Sequence, residues 1–215
     1  MPSTGPPEPL PGITEDVAVV QQAIQAYIDL GLNVVVVMHS LGGIIGTAAC
    51  EGLRAEDQAE GKGITALVYL AAFVAPKGKS AFVMNGGHAP WYDVTGEPGT
   101  GVWMLLGQNE WDPREVFYND CTPQQKEEGW ALCKRHYNEN VFQTPLPYAA
   151  WQEIESNYLL CELDGAIPEA GQDAMSTQEG GKWKRVERLR TDHSPFMSRP
   201  KETVEFVRRC AGEEV

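Results

Sequence analysis

The chain has 215 residues, of which 42% are hydrophobic, and this length and composition suit one compact α/β domain. Its 30 Asp and Glu residues outnumber its 17 Lys and Arg residues, so the formal charge is -13 at pH 7. Because such a charge repels phosphate backbones and anionic lipid, we expect no nucleic-acid partner and no membrane partner. Without a long apolar run or a signal-peptide pattern, the expected location is the cytoplasm.

Cysteine, histidine and glycine patterns give no indication of a metal or a cofactor. The five cysteines are widely spaced and form no C-x-x-C pair, and no predicted helix carries His, Asp and Glu at metal-ligand spacing. The glycine-rich segments 85–90 (NGGHAP) and 96–101 (GEPGTG) lack the strand-then-helix setting of a dinucleotide-binding motif, so both are predicted to be loops. We therefore expect a protein that works without metal or cofactor.

Helices and strands are predicted to alternate in the first third of the chain. Five prolines and two glycines make residues 1–12 an extended loop. Apolar residues recur at helical spacing over 14–31, and the continuous apolar run at 33–38 is typical of a strand covered on both faces in a parallel sheet. A helix rich in glycine and alanine at 42–52 and a second buried strand at 64–71 follow. This alternation predicts an α/β fold.

The pattern changes between about residues 76 and 150, where Trp, Gly and Pro are mixed with short helical pieces. The clearest helix in this part is 121–137, with Thr122 as its N-cap. We interpret 76–150 as a cap or lid that is inserted into a single domain of residues 1–215. The core pattern then returns in two strands, 156–164 and 183–189, and two helices, 169–176 and 200–211.

Three residues suited to nucleophilic catalysis follow predicted strands. An oxygen nucleophile at neutral pH needs a base to take its proton, and that base needs an acid to orient it. Ser40, Asp164 and His193 supply these types in this order along the chain. Because the carboxyl ends of parallel strands meet at one edge of a sheet, we expect the three to lie close together. We therefore predict a triad in which Ser40 attacks, His193 is the base and Asp164 orients it.

The stretch Met38-His39-Ser40-Leu41-Gly42 resembles the G-x-S-x-G nucleophile elbow of α/β-hydrolases, with Met38 in place of the first glycine. Glycines next to the serine are expected to avoid clashes with neighbouring backbone. The Leu41 N–H, at a helix N-terminus, can face a developing oxyanion. The alternative for Ser40 taken alone is a helix N-cap, and the matching acid and histidine downstream favour the nucleophile.

Other acids and histidines are weaker candidates for the catalytic triad. Glu162 lies within a predicted strand, and Asp192 adjoins His193, where a carboxylate rarely points at the Nδ1 atom of its own neighbour. His39 is expected to be packed or to line the wall of the site. The two remaining histidines, His88 and His136, are expected to be surface or pocket residues.

Beyond the elbow, the chain is similar over residues 2 to 210 to the small AB-hydrolase proteins common in filamentous fungi, relatives of plant methylesterases and hydroxynitrile lyases. The similarity is carried by MHSLGG, LVYLAAFVAPKGKS, VFYNDCTPQQ, AAWQEIESNYLLCELDGAIP and DHSPFMSRP. It implies an α/β-hydrolase fold, in which a mostly parallel sheet has flanking helices and an inserted helical cap. It also matches Ser40, Asp164 and His193 to the triad of that family.

The chain departs from this family at its amino end. Family members begin with a strand that ends in a His-Gly segment, whose N–H supplies half of the oxyanion hole, and then have a helix and a further strand. This sequence starts after these elements, so we expect a fold truncated at the amino end, with about four parallel strands. The strand at 34–37 would then form an apolar sheet edge, and such an edge predicts a homo-oligomer. Losing one oxyanion donor costs on the order of 10² to 10³ in rate.

The predicted function is an esterase-like serine hydrolase that cleaves an ester, lactone or related acyl bond of a small apolar or aromatic substrate. Two alternatives stay open. One is a lyase or cyclase of a secondary-metabolite pathway, although Ser194 stands where hydroxynitrile lyases have a lysine after the histidine. The other is a non-catalytic protein that binds a small apolar ligand. The substrate pocket is expected to draw on aromatic residues of the cap, among them Trp91, Trp103, Trp111, Phe117 and Tyr118.

Overall fold

The computed structural model describes residues 1–6, 8, 10–58, 60–95, 103–134 and 136–215, and the glycine-rich segment 96–101 lies outside these. The strands, in chain order, are Val34–His39 (β1), Ile64–Leu70 (β2), Tyr92–Thr95 (β3), Trp103–Leu106 (β4), His136–Asn138 (β5), Ser156–Cys161 (β6) and Trp183–Leu189 (β7). The helices are Thr14–Asp29 (α1), Gly42–Ala49 (α2), Ala81–Met84 (α3), Pro113–Phe117 (α4), Pro123–Leu132 (α5), Glu139–Gln143 (α6), Glu169–Ser176 (α7), Pro195–Ser198 (α8) and Pro200–Cys210 (α9).

A four-stranded parallel sheet in the order β1-β2-β6-β7 forms the centre of the fold. One face packs on apolar side chains of α1, α2 and α7, among them Ile24, Ile44 and Met175. The opposite face packs on Phe206 and Cys210 of α9. Helices thus flank the sheet on both faces, as expected when helical crossovers join parallel strands. The predicted parallel sheet with flanking helices is confirmed.

Strand β1 lies at the edge of this sheet, as predicted from the missing amino-terminal strands, but it is not covered on both faces, contrary to the prediction from its apolar run. Val36 and Met38 are buried against α1 and α2, whereas Val37, on the other face, is 46% exposed. The covering on that side comes from α9, which packs mainly over β2 and β6. A continuous run of valines therefore indicates a hydrophobic strand but does not predict that both of its faces are buried.

The predicted cap, 76–150, contains strands as well as helices. Its three strands form an antiparallel sheet in the order β3-β4-β5. Thr122 caps α5 through a capping box with Gln125, as predicted, but the helix ends at Leu132 and the chain continues into β5. The sequence predicts a helical cap because runs of three or four residues carry too little periodicity to reveal a strand.

The amino-terminal loop packs onto the strands of the cap. Thr4 forms an antiparallel bridge with Tyr137, and the Asn138 N–H donates to the Ser3 carbonyl at 3.2 Å. The Ser3 N–H in turn donates to the buried carboxylate of Asp16 at 3.0 Å. These contacts hold the loop at the rim of the cavity described below. Within the described ranges, no helix has the length and apolar character needed to cross a bilayer.

Candidate active site

Ser40 connects β1 to α2 in a left-handed backbone conformation. Its φ angle is 54°, in a region that residues other than glycine seldom adopt. The N–H groups of Gly43 and Phe73 each donate to the Ser40 carbonyl at 3.0 Å and hold this turn. The chain therefore reverses sharply at Ser40, and Leu41 follows as the N-cap of α2, where N–H groups lack intrahelical acceptors.

The two glycines after the serine differ in what they allow. A Cβ atom on Gly43 would lie 2.2 Å from the Phe73 carbonyl oxygen, so no side chain fits there. A Cβ atom on Gly42 would meet nothing within 4 Å. The expectation that both glycines avoid clashes with backbone is therefore right for Gly43 and wrong for Gly42.

Asp164 and His193 form a buried hydrogen-bonded pair. His193 Nδ1 lies 2.8 Å from Asp164 Oδ2, and the side chains are 3% and 0% exposed respectively. Because a carboxylate oxygen accepts hydrogen bonds, Nδ1–H is the donor and the ring lone pair is on Nε2. The pair follows two neighbouring strands, β6 and β7, as predicted from the chain order. His193 is thus oriented with Nε2 free to accept a proton.

Four N–H donors surround the Asp164 carboxylate. Besides His193, the main-chain N–H groups of Ala166 and Ile167 donate to Oδ1 at 2.7 and 2.9 Å, and Gln172 Nε2 donates to Oδ2 at 3.1 Å. Gln172 is fully buried and also bonds the main chain of Cys161 in both directions. Gln172 is not among the predicted site residues, because its only signal in the sequence is an amide in the short helix 169–176.

His39 holds the main chain of His193. Its Nε2 atom lies 2.7 Å from the His193 carbonyl oxygen, and the two ring centroids are 4.6 Å apart. Since a carbonyl accepts, Nε2–H is the donor and Nδ1 carries no proton. Burial is the largest cause and lowers the pKa of His39, the nearby His193 ring lowers it further, and the hydrogen bond to the His193 carbonyl opposes both; the resulting pKa is about 3. His39 is therefore a neutral imidazole at physiological pH, consistent with the predicted packed role.

Ser40, Leu41 and His193 line one cavity of about 580 Å³. Most of its walls are apolar, and the cap side includes Met104, Leu106 and Phe142. Of the aromatic residues expected in the pocket, three line the cavity: Trp91, Phe117 and Tyr118. The other two, Trp103 and Trp111, are not among the described lining residues, and the Trp111 side chain is exposed at the surface.

The other acids and histidines considered for the triad make different contacts. Asp192 is buried but accepts hydrogen bonds from main-chain and hydroxyl groups rather than from the His193 ring. His88 bonds Glu139 at 2.7 Å within the cap. The His136 side chain is outside the described part of the structure. Over the described ranges, no group of three or more His, Cys, Asp or Glu residues is arranged to hold a metal ion.

Comparison with known proteins places this chain in a family. The sequence model of an alpha/beta hydrolase family matches residues 1–206. The alpha/beta hydrolase nvfD of Aspergillus novofumigatus (strain IBT 16806) is 35% identical over 217 residues, which cover 100% of this chain and 84% of that protein. The chain belongs to the alpha/beta hydrolase family. A hydrolase is the general assignment that these relatives support.

Solved structures of other proteins share the fold at low sequence identity. A variant of polyneuridine aldehyde esterase aligns with a TM-score of 0.71 at 16% identity, over 95% of this chain and 83% of that chain. A pyrethroid hydrolase from Sphingobium faniae JZ-2 aligns with a TM-score of 0.68 at 20% identity, over 94% of this chain and 78% of that chain. At such identities the likeness concerns the fold alone.

In this alpha/beta hydrolase, the cavity brings together a hydroxyl on a sharp turn, an imidazole that can accept a proton and a helix N-terminus. These groups have the chemistry needed to form and stabilise a tetrahedral acyl intermediate. Among the hydrogen bonds of the described residues, none joins Ser40 Oγ to His193 Nε2. Catalytic hydrogen bonds of this kind are often long in the free enzyme and shorten when substrate binds.

Proposed function

We propose that the protein is an esterase-like serine hydrolase that cleaves an ester, lactone or related acyl bond. Ser40 Oγ attacks the acyl carbon, while His193 Nε2 takes the hydroxyl proton and later returns it to the leaving oxygen. Asp164 keeps His193 in the tautomer that can accept this proton. The Leu41 N–H donates to the oxyanion of the tetrahedral intermediate.

The observation that carries this proposal is the buried Asp164–His193 hydrogen bond beside a serine with φ 54°. A buried carboxylate bonded to Nδ1 is the arrangement that makes Nε2 a competent base. A left-handed backbone at a serine is costly, by about 1–3 kcal/mol, and such strain persists where function requires it. A serine that served only as a helix N-cap would have an extended backbone and would not need this turn.

The substrate that fits the cavity is apolar or aromatic, and we propose this class for the acyl compound. Trp91 and Phe117 supply aromatic walls on the cap side, and Val36 and Ile45 supply aliphatic walls on the sheet side. Burying an apolar group against such walls contributes about 25 cal/mol per Å². Esters with charged groups near the acyl carbon would lose hydration without a compensating partner.

Labelling with a fluorophosphonate probe tests the proposal directly. The activated serine should displace fluoride and form a phosphonyl ester that mass spectrometry assigns to the peptide containing Ser40. Ser40→Ala should abolish the label. Ser194→Ala is a matched control, because Ser194 lines the same cavity and adjoins His193. It should label like the wild type.

The other outcomes separate the alternatives. A folded wild type that takes no label and hydrolyses no p-nitrophenyl ester would contradict the hydrolase and favour a protein that only binds apolar ligands. A label on Ser40 without ester turnover would favour the lyase or cyclase alternative. Label retained in Ser40→Ala would show that another residue reacts with the probe.

A further inference from the structure

The loop that carries His193 is joined to the cap through a second buried carboxylate, that of Asp192. We propose that Asp192 is a positioning residue, which couples the placement of the cap to the placement of the His193 ring. This inference rests on the proposed role of His193 in the hydrolase. It concerns how the ring is held when the cap encloses a substrate.

Asp192 is fully buried, and its two oxygens bond to different parts of the chain. Oδ1 accepts from the Ser194 N–H at 3.0 Å and from the Ser198 hydroxyl at 2.8 Å, so it holds the turn that follows His193. Oδ2 accepts from the Asp120 N–H at 3.0 Å. One carboxylate thus connects the His193 loop to the junction of α4 and α5.

Two further contacts join the same segments. Arg199 Nη2 lies 2.7 Å from Asp120 Oδ2, and Gln125 Nε2 donates to the Met197 carbonyl at 2.9 Å. Both contacts join residues 120–125 of the cap to residues 197–199, which follow His193 in the chain. Asp192 is the buried member of this set, whereas Arg199 is 37% exposed at its side chain. The cap and the His193 loop are therefore fixed to each other at three points.

The cap side of this connection also forms part of the substrate cavity. Phe117 and Tyr118, which directly precede the Asp120 junction, line the cavity, and the Phe117 ring centroid is 5.7 Å from that of His193. A substrate that displaces these rings must move the Asp120 N–H, and the movement reaches His193 through Asp192. Because a misplacement of about 1 Å can cost on the order of 10² in rate, the coupling bears on turnover.

An asparagine at position 192 separates the two halves of this connection. Its amide oxygen can still accept from Ser194 and Ser198, as Oδ1 does in the wild type. Its NH₂ group would then face the Asp120 N–H, so two donors meet and the link to the cap is broken. Asp192→Asn thus removes the cap contact while the turn after His193 keeps its hydrogen bonds.

Hydrogen exchange and kinetics on Asp192→Asn test the coupling. Exchange should rise in 117–132 and in 191–199, and stay as in the wild type in α1. With p-nitrophenyl butyrate, kcat should fall about 10- to 100-fold, with a smaller change in KM, because the ring that transfers the proton is misplaced. The downfield NMR signal of the His193 Nδ1 proton should shift or broaden. Asp29→Asn, which removes an exposed carboxylate from helix α1, should change none of these quantities.

Arg199→Gln is the second variant, since it removes the ion pair with Asp120 by changing a side chain that is 37% exposed and leaves the Asp192 carboxylate in place. It should show the same exchange pattern with a smaller fall in kcat. Unchanged exchange in 117–132 in the variants that fold would overturn the coupling, and raised exchange with wild-type kinetics and NMR signal would overturn the positioning role. Hydrogen exchange needs no turnover, so failure of the hydrolase proposal, seen as an unlabelled wild type, is a separate result.

Discussion

The buried side chain of Met38, at the end of β1, occupies space that Gly46 of α2 leaves open. A Cβ atom on Gly46 would lie 2.7 Å from both Cγ and Sδ of Met38. Met38 stands two residues before Ser40, where the elbow pattern has its first glycine. In the G-x-S-x-G pattern the strand supplies the glycine at this contact. Here the strand supplies the side chain of Met38, and the facing helix supplies the glycine, Gly46.

Gly46→Ala should destabilise the protein, and the effect should depend on Met38. Overpacking of this kind costs about 1–3 kcal/mol, of which about 1 kcal/mol is offset by the better helix propensity of alanine. In a Met38→Ala background the added methyl group meets no obstacle, so the same change should become neutral or stabilising. Urea unfolding of the four proteins in this double-mutant cycle measures the coupling. A cost of Gly46→Ala that is equal in both backgrounds would contradict the packing account.

His39 should make the stability of the protein fall in acid. Its native pKa is about 3, and its ordinary value is 6.5. Below pH 6.5 the unfolded chain therefore binds a proton that the native protein does not, so stability is complete above this pH and is lost as the pH falls towards 3. The loss from this residue is at most about 1.4 kcal/mol per pH unit, because the unfolded chain binds only one more proton at His39 than the native protein does.

His39→Gln isolates this contribution, since the glutamine side chain can still donate an N–H to the His193 carbonyl but does not titrate. Carboxylates elsewhere titrate equally in both proteins, so they cancel in the comparison. Urea unfolding at pH 7 and pH 5 should give the wild type a loss that is larger than the variant's by up to about 2 kcal/mol. Equal losses would mean that His39 is protonated as easily in the native protein as in the unfolded chain.

Much of this architecture follows from local sequence patterns, and the parts that do not are contacts between distant segments. Largely apolar runs correctly predict β1, β2 and β6, because strands packed in a parallel sheet are continuously hydrophobic, whereas the predicted strand β7 alternates between half-buried and exposed residues. The exposure of Val37 does not follow from its apolar run, since hydrophobicity does not reveal how much of each strand face the helix α9 covers. The His39–His193 bond spans 154 residues, and no local pattern signals it. Gln172 is missed for the same reason: its partners are set by tertiary packing.

Gln172→Met should weaken the support of Asp164. Methionine fills a similar volume but leaves the Cys161 N–H and one side of the Asp164 carboxylate without their partners. Each unsatisfied buried group costs about 1–3 kcal/mol, so the free energy of unfolding should fall by at least about 2 kcal/mol. Phosphonylation of Ser40 should slow, because Asp164 is less well held. Gln124→Met on the exposed side of α5 is the matched control and should leave both quantities unchanged.

The free edge of β1 should promote self-association. Within the described structure β1 pairs only with β2, so its other side presents main-chain N–H and carbonyl groups that an identical strand can bond in antiparallel fashion. Val37 is 46% exposed on this strand, and Phe196 and Val204, which share a shallow apolar groove with it, are 45% and 55% exposed. Burial of these side chains between two copies would add to the main-chain pairing.

Val37→Lys should shift this equilibrium towards the monomer, because a desolvated ammonium group in the interface has no partner and like charges of the two copies would approach each other. Val19→Lys is a closely matched control: Val19 is 47% exposed, and it lies on α1 rather than on the edge strand. Sedimentation velocity over a range of protein concentrations should show association for the wild type and for Val19→Lys, and less for Val37→Lys. Equal association of all three proteins would assign the contact to another surface, and a monomeric wild type would mean that the edge is tolerated without a partner.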